Sequence, residues 1–213
     1  MPPETTSIPT SKSLALLPLP SRGSGLTSGQ ENGTEGLEGF ALVTRWERDL
    51  AVSHWLLSAA ENQERARAEW REQGVALLAA GGIFAAIRIP GDLVRAAAET
   101  DEGEAVDAFL LRALEGGPVS RDRTSDTYYA LVSGSTAWQW NPRAWPDVEC
   151  LGRDCYLGIP EPGPERQRWR AYWCVPMDSP GELCDPRLVW DLAQRAQASR
   201  RAADAEAGRP CVG

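Results

Sequence analysis

Few residue types in this chain could carry chemistry, and their spacing decides how far each can be taken. Cys150 and Cys155 lie five positions apart, Cys174 and Cys184 ten, and Cys211 stands alone. Zinc pairs usually sit two to four residues apart, because a tight turn must bring both sulfurs onto one ion. Neither spacing fits well, so small, buried, reduced thiols are the expectation. His54 is the only histidine and lies between apolar neighbours on a helical stretch. Any metal or nucleophile role would need Asp, Glu or Cys partners from elsewhere, so packing on a helix face is the simpler expectation. A serine nucleophile elbow, a P-loop and a dinucleotide glycine fingerprint are all absent. Gly81-Gly82 lacks both the flanking lysine and the third glycine that phosphate binding needs.

Nine tryptophans are many for this length. Trp138, Trp140 and Trp145 crowd one loop-rich stretch, and Trp169 and Trp173 another. With Arg121, Arg123, Arg166, Arg168 and Arg170 they could stack single-stranded bases. The plainer expectation is that they cover core edges, each using a large apolar area with one polar handle.

The elements that must position these groups follow from periodicity. Residues 1–40, rich in Ser, Thr, Gly and Pro, bury too little to offset their ordering entropy and are predicted to be a disordered leader. A helical pattern runs from Trp46, with Trp46, Leu50, His54 and Leu57 placed on its apolar face, and a second helix ends at Gly74. Val75–Ala79 and Ile83–Ile89 read as buried strands, and Gly81-Gly82 between them suggests a hairpin. Leu93–Glu99 and Ala105–Leu114 are helical. Short strands follow at Val119-Ser120, Tyr128–Val132, Val148–Leu151, Tyr156–Ile159 and Ala171–Val175. The last helix spans Asp185–Ala203, with Asp185 as N-cap and Pro186 at its first position. The expected organisation is a leader, an α/β (α+β) body over 41–198 whose mixed sheet is flanked by helices, and a flexible tail over 199–213.

Net charge is −8, and the body carries 17 arginines against 24 carboxylates. Such a surface repels a phosphate backbone unless its arginines are gathered on one face. Leu14–Leu17 is too short for a secretory core, and no apolar run reaches membrane-spanning length, so a cytoplasmic chain with no membrane partner is expected.

Ordered landmarks from Gly74 to about Ala196 resemble the primase-polymerase (Prim-Pol) domain, in the divergent versions common in actinobacteria. Ala76–Pro90 looks like the family's opening hairpin. Gly117-Pro118-Val119, Arg123-Thr124 and Thr127–Val132 look like its histidine-bearing strand. Glu149–Pro160 looks like its glycine-rich segment, and Tyr172-Trp173 like the strand that follows. The resemblance implies two divalent ions, Mg²⁺ or Mn²⁺, held by an acidic pair, a further acid and a histidine. Position by position, the acidic pair falls near Arg88, the histidine at Thr127, and only the further acid has a counterpart, Glu149. A cation where carboxylates belong repels a metal and attracts a phosphate or an acidic partner.

The resemblance therefore implies a non-catalytic Prim-Pol-like domain that needs no cofactor. It would bind a nucleotide, nucleic acid or a replication partner through Arg88, Asp92, Thr127, Glu149, Arg153 and Tyr156. Two rivals remain. One is a regulatory protein-interaction module exposing an apolar patch around Trp138–Trp145. The other is an active primase or polymerase using Asp92, Glu149 and Asp154 with Mg²⁺ or Mn²⁺.

Overall fold

The first two helices begin where the sequence carries a capping residue. Thr44 caps α1 (Arg45–Leu57): its hydroxyl accepts from the Glu47 N–H, and the Glu47 carboxylate accepts from the Thr44 N–H, a reciprocal box that satisfies two otherwise orphaned donors. Asn62 caps α2 (Gln63–Gln73) by accepting from the Arg65 N–H. Gly74, at φ 70°, ends that helix and turns the chain into β1 (Val75–Ala79), a left-handed position where glycine costs least. The structure, a computed structural model, describes residues 44–163 and 170–207, all within one compact unit, Leu42–Gly213. The expected leader lies outside them, as do Arg166, Arg168, Trp169 and Cys211.

After β1 come β2 (Ala85–Pro90), α3 (Gly91–Ala98), α4 (Gly103–Ala113), β3 (Val119–Asp122) and β4 (Thr127–Val132). Then follow α5 (Thr136–Gln139), β5 (Glu149–Leu151), β6 (Tyr156–Pro160), β7 (Ala171–Val175) and α6 (Pro186–Ala207). Five strands form one antiparallel sheet in the order β5-β2-β4-β3-β7, and β1 pairs with β6 in a separate two-stranded ribbon. The mixed α/β class expected from the sequence is the class observed. No helix among the described residues is long and apolar enough to cross a membrane.

Both faces of the large sheet are covered, each by its own core. Ala85, Ile87 and Ile89 of β2, with Tyr128, Ala130 and Val132 of β4, pack with Val94, Leu110 and Val189 from α3, α4 and α6. The alternate residues Ala86 and Leu131 face Leu56, Trp70, Leu78 and Ile159, contributed by α1, α2 and the ribbon. Period-two alternation thus feeds two cores at once, and β2 reads as a continuous apolar run for that reason.

Three expectations are corrected. The Gly81-Gly82 hairpin does not form: β1 and β2 leave that turn into different sheets. The glycines serve a close backbone crossing instead. A Cβ on Gly81, at φ 86°, would lie 2.4 Å from the Arg153 nitrogen, and one on Gly134 would lie 2.3 Å from the Gly82 carbonyl oxygen. On α1 the buried stripe is Val52, Leu56 and Leu57, while His54 is exposed and Trp46 is 71% exposed. The hydrophobic surface offered by Phe84 and Trp70 selects that stripe, overriding the periodicity that starts at Trp46. Finally, the boundary expected at 198 falls inside α6, which runs on to Ala207. The run Arg200-Arg201-Ala202-Ala203 has high helix propensity, and Arg200 makes tertiary ion pairs with Asp92 and Asp147.

The crossing yields a paired test. Gly134→Ala drives a methyl into a backbone oxygen and is expected to destabilise by about 1–3 kcal/mol. Gly82→Ala, with nothing within 4 Å of its Cβ, should stay within about 0.5 kcal/mol of the parent. Urea unfolding of both variants checks the contrast.

Candidate functional site

Beyond Ala86, β2 passes out from under the ribbon, and the next side chain on that face is Arg88. In register, Arg88 lies between Glu149 on β5 and Tyr129 on β4. Partners directly opposite in antiparallel strands share a face, so all three side chains stand together. The Arg88 guanidinium donates to Glu149 Oε2 at 3.0 Å, with the two side chains 50% and 60% exposed. An ion pair that wet is worth about 0–1 kcal/mol, so it opens easily when a competitor arrives.

Arg88 and Glu149 line a cleft of about 500 Å³, with Trp140, Trp145 and Asp147 from the α5–β5 loop completing it. The two indoles lie 6.4 Å apart between ring centroids, tilted by 32°. Both pack against the core on the α3–α4–α6 side, so the wall they form is held from behind. The Trp140 indole nitrogen is buried without a hydrogen-bond partner. From α6, Arg200 reaches back to Asp147 on the cleft and to Asp92 on α3, the latter at 3.8 Å. Along this edge the charges alternate and nearly cancel.

Of the residues singled out from sequence, Arg88 and Glu149 meet, and Asp92 joins them at one remove through Arg200. The others lie elsewhere. Thr127 pairs with Pro90 but is only 4% exposed, and its hydroxyl donates to the Ser125 carbonyl at 3.1 Å, so it holds the start of β4 rather than a ligand. Arg153, in the β5–β6 turn, lies over the Trp138 ring with its guanidinium 5.4 Å from the centroid. Tyr156 belongs to the ribbon, and its hydroxyl donates to Glu61. Asp154 sits at φ 66° in the same turn as Arg153. Among the described residues no three His, Cys, Asp or Glu side chains gather where they could hold a metal ion.

The thiols behave as small hydrophobes. Burial pushes Cys150 up to about 11 and Cys184 up to about 12, so neither is a thiolate at neutral pH. Cys150 and Cys155 flank the β5–β6 turn, whereas Cys184 donates to the Pro118 carbonyl at 3.4 Å. The tryptophans divide. Trp70 and Trp173 use their indole N–H on the carbonyls of Ile159 and Pro160, the core-edge role expected of them, while Trp138 is 75% exposed.

Sequence reasoning missed Asp147 and Arg200. Nothing local signals a contact between residues 53 positions apart. It also missed a charged cluster at the α3–β4 junction. The Asp126 carboxylate accepts from Arg121 at 2.7 Å and Arg95 at 2.8 Å, and its carbonyl accepts from the Gly91 N–H. Arg121 in turn lies over the Tyr128 ring. Compared with family models, curated proteins and solved structures, the chain matches none.

The Asp126 cluster sets a pH dependence. Burial works to raise this carboxyl, and the hydrogen bonds from Arg121 and Arg95 outweigh it, leaving its pKa below the ordinary value. A carboxyl with a lowered folded pKa contributes stability above its unfolded value, near 4, and loses it as pH falls through the folded one. Asp126→Asn is therefore expected to cost on the order of 1 kcal/mol at pH 7, discounted for its partial exposure, with the gap to the parent closing below about pH 4. Denaturant melts at pH 7 and pH 3 measure it.

Proposed function

We propose that this chain is a non-catalytic binding domain of Prim-Pol likeness whose Arg88 cleft takes a single nucleotide-sized ligand. The observation that carries the reading is the exposed Arg88–Glu149 pair beside the Trp140–Trp145 wall. A cleft of about 500 Å³ lies within the usual range for small-ligand sites. A planar ring stacks on an indole whatever its substituents. A phosphate can compete with Glu149 for the Arg88 guanidinium, since both can present two oxygens to its planar fork of N–H donors. Among the described residues lining the cleft Arg88 is the one cation, so the design suits one phosphate group better than a long strand. The net charge of −8 adds to that preference by repelling a polyanion.

The same pair argues for binding rather than nucleotidyl transfer. Glu149, the one acid that the resemblance carries over, is engaged with a guanidinium on the neighbouring strand. A cation beside it opposes the clustering of divalent ions that polymer extension requires. A second reading, a protein-interaction module, has its own support in the exposed indole of Trp138 and its Arg153 partner, since exposed aromatic–arginine pairs are typical anchors of protein interfaces.

Calorimetric titration with adenosine and guanosine monophosphates and triphosphates, at low ionic strength and without divalent ions, tests the first reading. Binding is expected, with Trp145→Ala weakening it roughly five- to a hundredfold, the range of one stacking contact, and Arg88→Ala weakening it as well, while leaving binding of the phosphate-free nucleosides nearly unchanged. No heat at low salt, or binding indifferent to both variants, would overturn it. Capture of a protein partner that depends on Trp138 and excludes nucleotide would favour the second.

A further inference from the structure

Two carboxylates line the cleft, and only one of them is held from outside it. Asp147 is engaged by Arg200 from α6. Glu149 makes its one side-chain hydrogen bond among the described residues to Arg88, and more than half of its side chain is exposed. It is the first residue of β5, so pairing with β2 fixes its backbone while only Arg88 holds its carboxylate. A nucleotide whose phosphate takes Arg88 leaves Glu149 without a donor. An ionised carboxylate can only accept hydrogen bonds, and here it would stand beside a phosphate of its own sign. The ligand must then supply donors at that point. The order of groups around the cleft fixes which part of the ligand this is. Arg88 lies directly across from Glu149, and Trp145 precedes Glu149 by four residues on the same segment. With the phosphate on Arg88 and the base on the indole wall, the sugar falls at Glu149.

We propose that Glu149 selects the sugar: released from Arg88 by the incoming phosphate, its carboxylate accepts from the 2′- and 3′-hydroxyls of ribose, so the cleft takes ribonucleotides in preference to 2′-deoxyribonucleotides. This rests on the nucleotide reading of the cleft and adds the class of nucleotide to it. A cis-diol offers two donors side by side, a match for the two oxygens of one carboxylate, and an acidic side chain on the 2′-hydroxyl is a recurring way to hold ribose. A 2′-deoxy sugar leaves one of those oxygens unanswered. Glu149 also occupies Arg88 when no ligand is present. The side chain that holds the ribose therefore opposes any anion that brings no diol, since such an anion must displace it and offers it nothing in exchange. For a ribonucleotide the exchange is easy, because an ion pair this exposed is weak.

Calorimetry on the full chain tests the selection, with adenosine and guanosine 5′-monophosphates set against their 2′-deoxy forms at low ionic strength and without divalent ions. The ribose forms are expected to bind about three- to thirtyfold more tightly, the range of one charge-assisted hydrogen bond at an exposed site. In Glu149→Ala the two sugars should converge to within about twofold, and the deoxy forms should bind as tightly as to the parent or up to about fivefold more tightly, because Arg88 is then free. Glu149→Gln, whose amide oxygen still accepts one hydroxyl, should keep part of the preference. Equal binding of both sugars by the parent refutes the selection and leaves the nucleotide reading standing, whereas no binding of either refutes both. A ribose preference that survives intact in Glu149→Ala overturns the proposal. So does deoxy binding that weakens in that variant, since Glu149 would then be helping to hold the phosphate instead of competing for Arg88. Should Glu149→Ala not fold, Glu149→Gln decides: a reduced preference supports the proposal, and an undiminished one refutes it.

Discussion

The burial of β2 on both faces is the constraint from which the rest of the structure follows. Ala85, Ile87 and Ile89 belong to one core and Ala86 to the other, each essentially inaccessible to water. A strand in that position admits no charge until one of its two covers ends. The cover on the ribbon side ends after Ala86, and Arg88 is the first residue on that face beyond it. Full burial of Ile87 and of Ile89 contributes about 1.5–3 kcal/mol each, so the register that places Arg88 at the cleft is held by its apolar neighbours rather than by its own ion pair. A one-residue slip would send Arg88 into the α3–α4–α6 core. The cleft exists where it does because the second core is shorter than the strand it covers.

Local signals in the sequence were enough to locate nearly every element, and non-local ones were not enough to pair them. Gly74 and Asp185 announce helix ends by chemistry that acts within three residues, and the apolar runs announce strands. Pairing depends on surfaces that no short window contains. The Gly81-Gly82 turn shows the difference: two apolar strands flanking two glycines is a sound hairpin signal, yet the glycines answer a crossing with Arg153 and Gly134, far along the chain. Helix α1 shows it again, since Val52 and Leu56 are no more apolar than Trp46 and Leu50 and only their contacts with Phe84 and Trp70 favour them.

The site was legible to the same degree. Ordered landmarks brought Arg88 and Glu149 into one neighbourhood, and they do meet across β2 and β5. Tyr156 and Arg153 lie within eight positions of Glu149 in sequence, but a tight turn sends β6 into the ribbon and carries them out of the cleft. Thr127 lies at the correct end of β4, and burial beneath neighbouring residues makes it structural. The resemblance implied one site for all three; strand direction takes Arg153 and Tyr156 out of it, and burial takes Thr127.

What shapes the cleft comes from farther away. The Trp145-Pro146-Asp147 segment has no regular structure of its own, so its position depends on what holds it. Behind, Trp140 and Trp145 rest on the core; in front, Arg200 joins Asp147 to Asp92 at the start of α3. Arg200 lies in the part of α6 beyond the domain boundary expected at 198. Helix α3 packs closely on α6 and follows directly from β2, the strand that carries Arg88. The last turns of α6 therefore brace the wall of the cleft against the strand that forms its floor, and two chain segments that sequence proximity would never connect fix its width between them.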